Sequence, residues 1–150
     1  MIQRKQTVFL LLAFISTLVC LFFPVGTFEP VGMHTDSVMY NMMISGDGVS
    51  DFSVCVLFVL LFLSSALSVL TIFLYGNRKR QSSFCVWNAL VIVAWYGCLV
   101  FFAQTAMGSN SAFHISFASC LPFVALVFII MARRGIISDE KLVRAADRIR

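Results

Sequence analysis

Four long apolar runs follow one another along the chain, and short polar segments separate them. The last three runs are long enough to cross the hydrocarbon core of a bilayer as α-helices. The first, 17 uncharged residues from Thr7, covers only about 25 Å, and we expect Arg4 and Lys5 to extend towards the interface so that this helix starts earlier. No Asp, Glu, Lys or Arg interrupts the runs. The pattern therefore predicts an all-α membrane protein, a single domain over 1–150, with four antiparallel transmembrane helices at about 3–23, 52–75, 83–107 and 112–132.

The segment between the first two runs, 24–51, combines acidic and apolar residues. A solvated loop does not need so many apolar side chains, and Gly and Pro residues divide this segment into short pieces. We expect strands at Val25–Glu29 and Val38–Ile44 that form a small outer β-hairpin over the ends of the helices.

The C-terminal segment changes from apolar to amphipathic after Gly135, which we expect to end helix four. Ser138 can cap a short cytoplasmic helix at about 138–149, whose apolar residues share one face at helical spacing. Pro122 lies near the middle of the predicted helix four, where it removes a backbone hydrogen bond. We expect a packing kink there, and a hinge is the sharper alternative.

All eleven Lys and Arg residues lie on one side of the membrane that these runs define. They precede the first run, separate the second from the third, or follow the fourth. Because cytoplasmic segments carry such an excess of basic residues, both termini are expected in the cytoplasm. This placement also explains the net charge of +4, so the charge does not indicate nucleic-acid binding. The sequence contains no nucleic-acid recognition motif.

Composition narrows the function classes further. With 60% hydrophobic and 12% charged residues, the chain lacks the polar surface of a water-soluble domain. No nucleophile–base pair is visible, and the five cysteines form no CxxC pair. The histidines, His34 in the outer loop and His114 near a helix end, do not suit a haem held between helices. We therefore expect no enzyme activity, no cofactor and no metal site.

Polar side chains inside the runs fall at matching predicted depths, and they need partners in hydrocarbon. Trp95 matches the serines of helix two, Asn88 matches Thr71, and Gln104 matches His114. Such hydrogen bonds hold membrane helices together, and the small-residue spacing of helix two leaves a homo-oligomer open. The predicted intramembrane polar contacts are Ser64, Ser65, Ser68, Thr71, Asn88, Trp95, Gln104 and His114.

The two ends of the chain carry its most specific motifs. They are Ile2-Gln3-Arg4-x-Gln6 at the start, Arg133-Arg134-Gly135-Ile136, and the closing sequence DEKLVRAADRIR at 139–150. Together they resemble the ends of an uncharacterised family of short four-helix integral membrane proteins of Bacteroidetes, a domain of unknown function. The resemblance spans the whole chain. It implies a multi-pass protein of the bacterial inner membrane and no particular activity.

The motifs at both ends of the chain fall on the predicted cytoplasmic side, where the start of helix one can meet the tail. Our leading hypothesis is a non-catalytic accessory or interaction protein whose ends dock on another membrane or cytoplasmic protein, or on the bilayer surface. The alternative is a small-molecule or lipid-handling protein with a cavity between helices two, three and four, using Asn88, Trp95, Gln104 and His114. The predicted docking residues are Gln3, Arg4, Asp139, Glu140, Arg144, Asp147 and Arg148.

Overall fold

The computed structural model describes residues 3–30, 37–46, 49–74, 78–106 and 111–147. This part of the chain forms four α-helices, a five-stranded sheet and a short 3₁₀ helix at Phe117–Cys120. The helices are α1 (Gln3–Phe22), α2 (Cys55–Phe73), α3 (Arg78–Ala106) and α4 (Leu121–Asp147). The strands are β1 (Gly26–Pro30), β2 (Ser37–Met39), β3 (Ile44–Gly46), β4 (Val49–Asp51) and β5 (Ser111–Ile115).

Among the described residues, three stretches are long and apolar enough to cross a membrane: Cys55–Phe73, Arg80–Thr105 and Phe117–Val143. The apolar part of α1, Gln6–Phe22, is shorter and covers about 25 Å at 1.5 Å per residue. The helices also carry large apolar side chains on their outer surfaces, the reverse of a water-soluble bundle. Examples are Val8, Leu11 and Ile15 of α1, Val59 and Phe62 of α2, Leu90 and Val93 of α3, and Val127 and Ile130 of α4.

Two buried apolar clusters hold the helices together. The first joins the sheet to α2 and α3, and the second joins α1, α3 and α4. The first contains Val25, Phe28, Met39, Leu57, Leu61, Trp95 and Leu99. The second contains Leu10, Ala13, Cys85, Ile92, Ala125, Ile129, Ala132 and Ile136. The molecule therefore has one end built around the sheet and another built from helices alone.

The sheet is antiparallel throughout, with the strand order β4-β3-β2-β1-β5. The predicted hairpin is present as β1 and β2, with Thr27 opposite Val38. The second predicted strand, 38–44, is instead divided into β2 and β3 by a turn in which the amide of Tyr40 donates to the carbonyl of Met43. This turn points Asn41 into the protein, where it is fully buried.

Helix four was predicted to begin at about Ala112, and that prediction is wrong for residues 111–115. They form β5, which pairs with β1 along its whole length, and the ring of Phe113 packs on Phe28 with centroids 4.8 Å apart. A Cβ at Gly26 would overlap that ring, so the close approach of β1 and β5 requires glycine. The partner strand lies about 85 positions away in sequence, which no local pattern can show.

The later start of α4 also changes the place of Pro122. Helix α4 begins at Leu121, so Pro122 lies in its first turn and not near a helix centre. A first-turn amide has no partner within the helix, and proline therefore costs no hydrogen bond there. The predicted kink or hinge at Pro122 is consequently wrong.

The predicted break at Gly135 is wrong as well. Helix α4 continues through this glycine to Asp147, and the predicted tail helix at 138–149 is its second half. At 27 residues α4 is about 40 Å long, more than the roughly 30 Å hydrocarbon core of a bilayer. Helix α4 is therefore one continuous rod whose basic end extends past its apolar part.

Candidate docking site where α1 meets α4

A buried hydrogen bond joins the two terminal motifs. The side-chain amide of Gln6, in the second turn of α1, donates to the carboxylate of Asp139 over 2.5 Å. Gln6 is 7% exposed and Asp139 is 8% exposed. A carboxylate acceptor strengthens such a bond, and low solvent access makes the loss of either partner costly. This bond fixes the position of α4 beyond its apolar half.

Gly135 makes the close contact between the two helices feasible. A Cβ at this position would lie 3.0 Å from Cγ of Gln6 and 3.3 Å from its Nε2. Glycine is unfavourable inside a helix by about 1 kcal/mol relative to alanine, so its presence here is explained by the space that Gln6 occupies. The residue that sequence analysis assigned to a helix end is thus an interhelical packing position.

The face of α4 that packs on α1 has a regular spacing of four and three residues, as in paired helices generally. Val143 is the next position on this face, beyond the first turns of α1, and it is 46% exposed. Its neighbour Leu142 is 59% exposed. The buried members of the face are Ala125, Ile129, Ala132, Ile136 and Asp139. The packing face therefore continues into apolar side chains that are largely exposed.

Basic side chains surround this junction. Arg133, Arg134 and Lys141 of α4 are exposed, as is Arg80 in the first turn of α3. Gln81 links α3 to α2 at the same end, because its side-chain amide donates to the carbonyl of Thr71 over 3.2 Å. Glu140 is half-buried. The basic half of α4 thus carries exposed apolar groups, Leu142 and Val143, as well as exposed cations.

The structure tests only part of the predicted docking set. Asp139 lies in the junction, but its partner is Gln6, which sequence analysis had placed in the terminal motif and had not selected as a site residue. Gln6 follows Gln3 by three positions, so helical spacing was the available signal. The side chains of Gln3, Arg4, Arg144 and Asp147, and all of Arg148, lie outside the described part of the chain.

The polar side chains within the helices find partners that differ from the predicted ones. Asn88 of α3 accepts from the hydroxyl of Ser64 over 2.6 Å and donates to Ser68 over 2.8 Å, so the predicted Asn88–Thr71 pair is wrong. Ser65 and Thr71 donate to carbonyls of their own helix. Since Ser64 and Ser68 face α3, their spacing gives no support for a homodimer through α2.

Trp95 does not bond to the serines of α2. Its indole N–H donates to the side-chain oxygen of Asn41 over 3.1 Å. The side-chain amide of Asn41 donates to the backbone carbonyl of Cys20 over 2.7 Å. The backbone carbonyl of Asn41 accepts from the backbone amide of Phe58. Trp95 therefore lies level with the first turn of α2, near its sheet end, and not at mid-depth as predicted. Asn41 thus supplies hydrogen-bond partners for a carbonyl near the end of α1 and an amide in the first turn of α2, at helix ends where backbone groups lack partners within their own helix.

Gln104 and His114 do not form the predicted pair. Gln104 is exposed on α3, while His114 of β5 lies 3.4 Å from the carboxylate of Glu29 on the surface of the sheet. The four residues of the alternative hypothesis, Asn88 and Trp95 together with these two, thus do not converge on a cavity. Across the described residues, no group of three or more His, Cys, Asp or Glu side chains is placed to hold a metal ion.

Comparison with known proteins places the chain in a family without assigning it an activity. No curated protein matches the chain. A family model described as "Domain of unknown function (DUF4293)" matches residues 2–149, nearly the whole length. The chain therefore belongs to this uncharacterised family.

Proposed function

We propose that this protein is a non-catalytic interaction subunit of the bacterial inner membrane that docks a partner protein at the junction of α1 and α4. One observation carries the proposal: the buried Gln6–Asp139 bond holds the basic half of α4 in place while Leu142 and Val143 stay exposed. A helix that served only to set orientation would need the basic residues but not this fixed apolar surface.

The orientation that we propose places the junction in the cytoplasm. The basic clusters at 4–5, 78–80 and 133–134 adjoin the apolar helices, and the acidic segment 24–51 forms most of the sheet at the other end. An excess of Lys and Arg in short segments beside membrane helices is typical of the cytoplasmic side. Both termini then share one compartment with the docking surface.

The chemistry of the surface defines its partner. Val143 continues the packing face of α4 and is exposed, so it can pack against a helix of a partner. The exposed cations Arg133, Arg134 and Lys141 give this half of α4 a positive charge, which favours an acidic partner over a basic one. We therefore propose an amphipathic, acidic helical segment of another membrane or cytoplasmic protein as the partner.

Site-specific photo-crosslinking in whole membranes tests this proposal. A photoreactive amino acid replaces Val143 in one sample and Leu11 in the other; both are 46% exposed, but Leu11 faces outward from the apolar part of α1. We expect a discrete protein adduct from position 143 and only lipid adducts from position 11. Replacing Lys141 with Glu should reduce the protein adduct, because it repels an acidic partner.

Three results would overturn the proposal. Only lipid adducts at position 143 would place this surface on the bilayer. An adduct with a second copy of the chain would show a homo-oligomer in place of a different partner. Equal protein adducts at positions 143 and 11 would show that crosslinking reflects crowding and not a docking site.

A further inference from the structure

An open apolar cavity lies at the sheet end of the molecule, away from the proposed docking surface. It has a volume of about 420 Å³ and separates the last turn of α1 from the start of α4. This volume is within the range of pockets that bind small molecules, although such pockets usually also present several polar groups. The lining side chains are Val19, Phe23, Pro24, Phe117, Ala118 and Leu121, with Ser116 beside them.

Hydrogen bonds fix the walls of this cavity. The carbonyl of Val25 accepts from the amide of Ser116 over 3.0 Å and from the hydroxyl of Ser119 over 2.6 Å. The hydroxyl of Tyr96 in α3 donates to the carbonyl of Ser119 over 2.6 Å. These bonds tie the 3₁₀ helix to both the chain after α1 and the body of α3. The cavity is therefore a preformed shape, which lowers the entropic cost of filling it.

The open side of the cavity continues into the apolar outer surfaces of α1 and α4. The lining residue Phe117 is highly exposed, and Leu18 and Phe22 of α1 and Val124 of α4, which are close in sequence to the lining residues Val19, Phe23 and Leu121, are exposed as well. A ligand here contacts protein on one side and the surrounding hydrocarbon on the other. Lipid chains are the molecules present at this depth of a membrane, and an apolar wall binds them without any polar contact to satisfy.

We propose that this cavity binds one acyl chain of a membrane phospholipid. The backbone amide of Ser116, the hydroxyl of Ser119 and the carbonyl of Val25 already bond to one another, which leaves the hydroxyl of Ser116 as the side-chain polar group of an otherwise apolar wall. Contact area and shape then determine binding. The inference is independent of the proposed docking function, because it concerns the opposite end of the molecule.

Photo-labelling in lipid nanodiscs tests the assignment. The full chain is reconstituted with phosphatidylethanolamine and phosphatidylglycerol, and a fraction of the phosphatidylethanolamine carries a diazirine on one acyl chain. Labelled positions are then located by mass spectrometry. We expect labelling at Val19, Ala118 and Leu121 to exceed labelling at Leu12 about tenfold, a ratio that a bound lipid produces and a passing one does not.

Two tryptophan variants provide the matched comparison. Val19 and Leu12 are both 37% exposed and lie seven positions apart on one face of α1, but only Val19 lines the cavity. Val19→Trp should remove most of the preferential labelling at Ala118 and Leu121, and Leu12→Trp should leave it unchanged. Ala118→Leu fills the cavity from the other wall and should act like Val19→Trp, which covers a failure of one variant to fold.

The proposal is overturned by uniform labelling along α1, since that is the behaviour of the bulk lipid around any membrane helix. It is also overturned if the two tryptophan variants reduce labelling equally. A crosslink from a photoreactive residue at position 118 to another protein or to a second copy would show that a protein segment occupies the cavity.

Discussion

At each end of this molecule a buried side-chain amide forms hydrogen bonds between helices, but its surroundings differ. At the sheet end, Asn41 reaches from a turn into the bundle and bonds to groups of α1, α2 and α3. At the other end, Gln6 makes one buried bond to α4. Asn41 is covered on all sides, whereas exposed apolar residues lie within a turn of Asp139. The comparison indicates that the hydrogen bonds of Asn41, the joint at the sheet end, stabilise the fold. The Gln6–Asp139 bond, the joint between α1 and α4, holds the exposed residues Leu142 and Val143 in position.

The largest effect is expected from removing the joint at the sheet end. Asn41→Ala leaves the indole of Trp95 and the carbonyl of Cys20 buried without partners, at about 1–3 kcal/mol for each group. We expect the free energy of unfolding to fall by about 3 kcal/mol, measured by denaturation of the purified protein in detergent. The neighbouring Met42→Ala, at an exposed position, is the control and should have little effect. Equal losses would mean that Asn41 is not a joint.

The joint between α1 and α4 should cost less to break. Asp139→Leu leaves the amide of Gln6 unpaired, and we expect a loss of about 1–2 kcal/mol in the same denaturation experiment. Asp139→Asn keeps an oxygen acceptor and should recover most of that loss. Crosslinking from position 143 should fall in the leucine variant, because the surface loses its fixed position. Unchanged crosslinking from position 143 would show that the Gln6–Asp139 bond is not needed for docking.

The smallest effect distinguishes two helical glycines. Gly97 of α3 has open space where a Cβ would be, so Gly97→Ala should stabilise the protein by about 0.5–1 kcal/mol through helix propensity. Gly135→Ala gains the same propensity, but its Cβ lies against Gln6 and must displace that side chain. We expect no gain or a net loss of up to about 1 kcal/mol at this position. A gain at both positions would show that Gly135 does not serve the contact with Gln6.

Sequence patterns identified the elements whose signal is local. The apolar runs of α2 and α3 predict helices close to those observed, because their periodicity and length are strong signals. The hairpin of β1 and β2 also followed from alternation and turn residues. The largest errors lie at 112–135, where β5, Pro122 and Gly135 were assigned to helix four or to its end with the wrong limits. In each case the deciding contact comes from a residue far away in the chain.

The candidate site shows the same division. The terminal motifs correctly directed attention to the first turns of α1 and to Asp139, since their composition differs from that of the apolar runs. Gln6 forms the bond because its side of α1 faces α4. Since α1 carries apolar residues on all sides, its sequence gives only a weak signal of which side faces the other helices. Trp95 and Asn41 illustrate the same point, because their pairing depends on a turn that only the folded sheet positions.

The sequence by itself determined that this is a membrane protein with polar, motif-bearing ends, because long uncharged runs have no stable place in water. Only the tertiary structure decided that a fifth strand precedes α4, that α4 is one continuous helix, and that Gln6 and Asp139 form its joint. The reason is physical: burial of apolar surface depends on composition and can be read locally. A hydrogen bond between distant residues depends on the geometry that the whole chain adopts.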